Sequence, residues 1–238
     1  MKNLMIPALA LFLSAAAQAD DSPLWMRYCA ISPDGQTIAF SYQGDIYTVP
    51  SSGGKARQLT THPAHDTRPV WSPDGQRIAF ASNRSGNFDV FLMNKEGGEP
   101  KRLTTHSTNE YPTTFKDNGH ILYLANVLQD AKDIQFPGTR FMQVYEISTD
   151  GGRPDLYSSL YMENIALSKD GSKLLYNDYK GYEDPWRKHH QSSITRDIWL
   201  CTLGKDRSFQ KVTTFGGEDR NPVWAADRAS FYYLSQEK

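Results

Sequence analysis

The 238-residue chain has only two cysteines, Cys29 and Cys201, which excludes a disulfide-stapled scaffold. They lie in the apolar segments Arg27-Tyr28-Cys29-Ala30-Ile31 and Ile198-Trp199-Leu200-Cys201, where small buried thiols are expected and no spacing argues for a bridge. Cysteine spacing of the zinc-binding kind is missing as well. An excess of one charge is also lacking. With 26 Lys and Arg against 27 Asp and Glu, the net charge is −1, so no basic footprint for nucleic acid or an anionic membrane is present. Beyond residues 4–13 there is no long hydrophobic run, and that one is about half of the ~20 residues a spanning helix needs. No Gly-x-Ser-x-Gly elbow occurs, which argues against a self-contained hydrolase.

What the chain does have is aromatic and turn-forming. Thirteen Tyr, 11 Phe and 5 Trp stand beside 17 Gly and 13 Pro, a mixture that favours short strands joined by tight turns. The first residues read as an address. Lys2 supplies a positive start, residues 4–13 an apolar stretch, and Ala17-Gln18-Ala19 a small-x-small cleavage site before Asp20. Residues 1–19 are therefore expected to be a cleaved signal peptide, and the mature chain, 20–238, to work in the periplasm or outside the cell with no membrane contact.

One repeat organises the rest. Ile31-Ser32-Pro33-Asp34-Gly35-Gln36-Thr37-Ile38-Ala39-Phe40 returns as Trp71-Ser72-Pro73-Asp74-Gly75-Gln76-Arg77-Ile78-Ala79-Phe80. Asp45-Ile46-Tyr47 matches Asp89-Val90-Phe91, and Gln58-Leu59-Thr60-Thr61-His62 matches Arg102-Leu103-Thr104-Thr105-His106. Looser copies carry Lys116-Asp117-Asn118-Gly119 and Ser168-Lys169-Asp170-Gly171, and another begins at Pro222-Val223-Trp224. Each unit reads as four strands. Pro-Asp-Gly is a turn between the first two, Gly-Gly ends the third, and a Leu-Thr-Thr strand closes the unit. Such units fit the blades of an all-β propeller better than a sandwich or an open array. The expected blades are 24–65, 66–109, 110–161 and 162–218, with a fifth begun at 219–238. The connections between second and third strands lengthen to 126–140 in the third blade and 177–196 in the fourth, and long connections on a rigid scaffold are where function gathers.

These Ser-Pro-Asp-Gly, Asp-Ile-Tyr and Gly-Gly…Leu-Thr units resemble the propeller repeats of TolB and of tricorn-type serine peptidases. A narrower resemblance is to the first propeller of secreted, bacterial tricorn-like peptidases. It rests on Pro23-Leu24-Trp25-Met26-Arg27-Tyr28 directly after the leader, and on the fourth-blade insertion Asp178-Tyr179-Lys180-Gly181-Tyr182-Glu183-Asp184-Pro185-Trp186-Arg187-Lys188-His189-His190. It implies a propeller of about six blades. It further implies a PDZ-containing catalytic region with a serine nucleophile downstream, peptide or protein substrates, packing against those domains and a homo-oligomer. No catalytic residue, cofactor or metal carries over to this chain. The readings kept beside it are a TolB-like protein-binding propeller without enzymatic activity and the propeller of a prolyl-oligopeptidase-like enzyme.

Within the insertion, Trp186 can anchor the loop by packing, while Arg187 and Lys188, with His189 and His190, can meet a substrate carboxylate or dock on another domain. His62-x-x-His65 and His189-His190 are the clustered imidazoles, with no carboxylate at ligand spacing. His62 and His106 share one repeat position and are expected to serve the blade edge. Asp20-Asp21 and Glu218-Asp219 are expected on solvated turns, and Asp34 and Asp74 in backbone hydrogen bonds of their turns.

Overall fold

The fold is described from a computed structural model for residues 25–126, 142–181, 192–225 and 229–237. The leader and residues 182–191, which hold Trp186, Arg187, Lys188, His189 and His190, lie outside the described residues. Those described form strands and no helix.

The strands make four four-stranded antiparallel sheets and one of two strands. The first blade is β1 (Arg27–Ile31), β2 (Thr37–Tyr42), β3 (Asp45–Pro50) and β4 (Arg57–Gln58); the second is β5 (Asp66–Trp71), β6 (Arg77–Ser82), β7 (Asp89–Asn94) and β8 (Gly97–Arg102). The third is β9 (Glu110–Asp117), β10 (His120–Ala125), β11 (Gln143–Ser148) and β12 (Asp155–Ser158). The fourth is β13 (Met162–Leu167), β14 (Lys173–Asp178), β15 (Ile198–Thr202) and β16 (Ser208–Lys211), and β17 (Asp219–Trp224) pairs with β18 (Phe231–Ser235). In each blade the strands lie side by side in chain order, the arrangement of a propeller.

The strands of the second, third and fourth blades are apolar on both faces because each of these sheets is packed between two others. Ala39, Ile46 and Leu59 of the first blade meet Ile78, Phe80, Phe91 and Met93 of the second. Ala79, Val90 and Leu103 of the second meet Phe115, Ile121 and Tyr123 of the third. Leu122, Leu124 and Val144 of the third meet Met162, Leu174 and Cys201 of the fourth. Gly97 is required where these sheets approach: its φ is +83°, and a Cβ there would stand 3.2 Å from the Leu59 carbonyl oxygen of the first blade. Cys201 is buried, but Cys29 is exposed, contrary to the expectation, because β1 has no sheet on its outer side among the described residues. Both thiols are free.

The Ser-Pro-Asp-Gly turns are near copies. The N–H groups of Gly35, Gly75 and Gly171 donate to the carbonyls of Ser32, Ser72 and Ser168 at 2.8, 2.9 and 2.8 Å, closing the turns. Each Ser Oγ accepts an N–H five residues on at 2.9 Å and donates to the turn's Asp. Asp34 and Asp74 also accept the N–H of Gln36 and Gln76 at 3.0 and 2.9 Å, the backbone bonds expected of them. The same bonds hold all three carboxyls below their ordinary range, and in Asp170 the bond from Ser168 leads a set that brings it to about 2.

The Leu-Thr-Thr segment is not a strand. It follows the fourth strand and clasps the third: Leu59 and Leu103 N–H donate to the carbonyls of Ile46 and Val90, both at 2.8 Å. Thr60, Thr104 and Thr213 Oγ1 accept the N–H of Ile46, Val90 and Ile198 at 2.9, 2.9 and 3.0 Å. The hydroxyl replaces a ladder partner, so no buried N–H is orphaned. The second Gly-Gly pair begins β8 rather than ending β7.

Candidate functional site

Strand direction separates the propeller's two ends. Asp66 pairs with Ser82 and Ser82 with Asp89 at one end, while Trp71 pairs with Ile78 and Ile78 with Met93 at the other. The second end carries the Ser-Pro-Asp-Gly turns. The first carries the starts of the inner strands, the blade-to-blade connections and the stems of both long insertions, since Asn177 pairs with Ile198 and Ala125 with Gln143.

All five inner strands break register. In four of them the bulge lies at this insertion-bearing end and holds one non-glycine residue in the left-handed region: Tyr28 (φ 53°), Arg68 (φ 55°), Asn164 (φ 51°) and Asn221 (φ 54°). Asn adopts this conformation readily, whereas at Arg68 it costs on the order of 1 kcal/mol. The bulge hooks onto the preceding blade: Arg68 N–H donates to Ser41 Oγ at 3.2 Å and Asn221 N–H to Asn177 Oδ1 at 3.0 Å. It also aims the Arg68 guanidinium between two rings, 4.3 Å from the Tyr111 centroid and 5.1 Å from that of Tyr28. No carboxylate among the described residues pairs with Arg68. Burial pushes the Tyr111 phenol up, and Arg68 opposes that shift.

A fixed network continues from there to the base of the fourth-blade insertion. Tyr161 Oη donates to Glu163 Oε1 at 3.0 Å, and Glu163 Oε2 accepts from Arg196 Nε at 2.6 Å. Arg196 Nη1 stands 3.4 Å from Glu218 Oε1, and Glu218 Oε2 accepts from Arg220 Nε at 2.7 Å. Burial disfavours the charge of Arg196, yet Glu163 and Glu218 outweigh it and raise its pKa. Lys180 Nζ donates to the Thr195 carbonyl at 2.7 Å and to Asp197 Oδ2 at 2.5 Å, so both stems of the insertion are clamped.

Glu218 and Asp219 thus do not lie on a solvated turn; they are 5% and 1% exposed. Asp219 belongs to a second repeated feature, a pair of acids at each of three blade junctions: Asp45 with Asp66, Asp89 with Glu110, and Asp197 with Asp219. The inner-strand member of each pair donates its N–H back to the earlier blade, from Asp66 to Gly44, Glu110 to Phe88 and Asp219 to Arg196, at 2.7, 2.7 and 3.1 Å.

The histidines take turn roles. His62 Nδ1 accepts the Ala64 N–H at 3.0 Å, and His106 Nδ1 accepts the Thr108 N–H at 3.2 Å. Among the described residues no group of three His, Cys, Asp or Glu side chains is placed to hold a metal ion. Sequence reasoning reached the insertion but missed Arg68, Tyr111, Glu163 and Arg196, whose grouping depends on the bulges. The one available signal was that Arg68, Asn164 and Asn221 share a repeat position.

The comparisons with known proteins agree with this architecture. The model of the tricorn protease N-terminal β-propeller domain matches residues 23–238. Tricorn protease homolog 1 of Streptomyces coelicolor is 25% identical over 214 residues, covering 88% of this chain and 19% of that protein. The crystal structure of the tricorn protease is similar with a TM-score of 0.67 at 19% identity, over 89% of this chain and 20% of that one. TolB from Acinetobacter baumannii is similar with a TM-score of 0.56 at 17% identity, over 84% of this chain and 46% of that one. The chain spans about a fifth of the length of the two tricorn proteins. It belongs to the family of tricorn protease N-terminal β-propeller domains.

Proposed function

We propose that the chain is the non-catalytic propeller of a periplasmic or secreted tricorn-like serine peptidase, and that its insertion-bearing end admits and orients unfolded peptides. The observation that carries the reading is Arg68. It is a cation held in a costly backbone conformation between two tyrosine rings, without a carboxylate partner among the described residues, on the end that carries the stems of both insertions. A guanidinium so placed suits a peptide carbonyl or carboxylate, and the rings suit its apolar side chains. The family match supports the peptidase context. Arg187 and Lys188 belong to the same reading through the insertion that the Glu163–Arg196–Glu218 network anchors at its base.

The test uses the full-length enzyme. Arg68→Ala is expected to lower kcat/KM for unfolded peptides about tenfold or more, the loss of one charge-assisted contact. Arg187→Ala with Lys188→Ala is expected to lower it further. Unchanged turnover and unchanged assembly in both variants would contradict the proposal. The second reading, a protein-binding propeller without an enzyme, draws on the likeness to TolB. A reading frame that continues past residue 238 into a PDZ and a carboxyl-terminal-processing peptidase segment selects the first reading.

A further inference from the structure

The geometry points to a site for an alkylammonium group in the cleft between the second and third blades, with Glu110 as counter-ion and Tyr123 and Tyr145 as walls. This inference does not depend on the peptidase reading.

The cleft is a cavity of about 330 Å³ lined by His106, Glu110, Tyr123, Tyr145 and the segment from Arg153 to Leu156. Its floor is polar and only partly satisfied. Glu110 is 1% exposed and Tyr123 fully buried. Thr104, the His106 backbone and the Tyr123 hydroxyl act on the Glu110 carboxyl, yet among the described residues Glu110 Oε2 and Tyr123 Oη have no partner in full hydrogen-bond geometry. Buried carboxylates without a partner are costly; cations meet one acid at each neighbouring junction, although Asp219 is left without a hydrogen-bond partner there, as Glu110 Oε2 is here. Arg84 meets Asp66 at 2.9 Å, and Lys180 and Lys211 meet Asp197 at 2.5 and 2.9 Å. At the junction between the second and third blades the nearby guanidinium, Arg102, is committed to Asp89 at 2.9 Å. Among the described residues no cation pairs with Glu110.

The shape and the walls select the cation. A primary ammonium carries three donors, and the Glu110 carboxylate and the Tyr123 oxygen offer acceptors for them. The rings of Tyr123 and Tyr145, 5.8 Å apart and tilted by 30°, present π faces to the adjoining charge and methylenes. The volume is at the small end for ligand pockets, enough for the arm of a lysine side chain or a small free amine. An anion would meet Glu110 with Asp89 behind it, two carboxyl groups of the wrong sign. At the rim the exposed Arg153 and Asp155 offset one another. Burial, reinforced by the charge of Asp89, pushes the Glu110 carboxyl up to about 7, so an ammonium that draws on its ionised form must displace a proton.

The test titrates the full chain, followed by NMR, with Nα-acetyl-L-lysine amide, with its norleucine counterpart, which lacks the ammonium, and with n-butylamine. Saturable shifts at Tyr123 and Tyr145 are expected with the lysine compound and not with norleucine. Affinity should rise from about pH 6 to about pH 8 with proton release. Glu110→Gln, nearly isosteric, should weaken binding about tenfold or more while melting cooperatively. Arg153→Ala, at an exposed position, should strengthen it, because a like charge leaves the rim. Binding of n-butylamine as tight as that of the lysine compound assigns the site to free amines, and weaker binding assigns it to lysine in a polypeptide. Equal binding of the norleucine compound, absence of saturable shifts, or full affinity in Glu110→Gln would overturn the inference.

Discussion

The two ends of the propeller are built on different principles. At the turn-bearing end, three Ser-Pro-Asp-Gly or Ser-Lys-Asp-Gly units make the same bonds to within about 0.1 Å, and any one describes the others. At the insertion-bearing end the repeat holds for the backbone alone. Equivalent bulges carry Tyr28, Arg68, Asn164 and Asn221, and equivalent junctions carry an acid with a cation or an acid without one. Sameness at one end is what stability selects, because one solution to the turn serves the first, second and fourth blades, while the third closes through Asp117, Gly119 and His120. Difference at the other end places distinct side chains on a common frame, which is what a binding surface requires.

The sharpest way to break the comparison is to damage what the blades share. Phe80 is fully buried and stacks on Phe91 with centroids 6.0 Å apart. Phe80→Ala should cost about 3 to 5 kcal/mol in urea unfolding. A loss below about 1 kcal/mol would mean that the blades are not stacked as described.

Glu110 provides the next largest effect. Its folded pKa lies above the ordinary carboxyl value, so between about 4.5 and about 7 the folded state holds a proton that the unfolded state has released. Stability should therefore fall as pH rises through that window, by at most on the order of 3 kcal/mol. Glu110→Gln should flatten the slope. A wild-type chain whose urea midpoint rises with pH over the same window would refute the assignment.

The turns respond in the opposite sense and more weakly. The carboxyls of Asp34, Asp74 and Asp170 are depressed, so their contribution is complete above the ordinary carboxyl pKa and is lost as pH falls through the folded value, about 2 for Asp170. An NMR titration should place the Asp170 midpoint there, and Ser168→Ala should move it up, because the Ser168 hydroxyl is the leading cause of the shift. Smallest of all is the effect of Arg68→Asn on stability. It should lie within about 0.5 kcal/mol of zero and on the stabilising side, because Asn tolerates the left-handed bulge. A large loss would make Arg68 a structural residue.

The turn-bearing end was legible because its chemistry is local. Ser, Asp and Gly act within five residues of one another, so a repeated tetrapeptide specifies a repeated geometry. The Leu-Thr-Thr segment misled because a β-branched pair after an apolar residue has strand propensity, while Thr104 acts through one hydroxyl on a residue 14 positions earlier. Glu218 and Asp219 looked solvated as adjacent acids. Only the alignment of Asp219 with Asp66 and Glu110 marks them as a junction. Arg68 had no local signal, since its contacts with Tyr28 and Tyr111 come from two other blades and a bulge that breaks the strand period.

The central claim is that the insertion-bearing end is the working face. Hydrogen–deuterium exchange on the full-length protein, with and without an unfolded peptide, tests it directly. The account predicts added protection around residues 66–68, 110–111 and 194–196, with none at the turns 32–35, 72–75 and 168–171. Protection centred on those turns, or the same exchange with and without peptide, would contradict it.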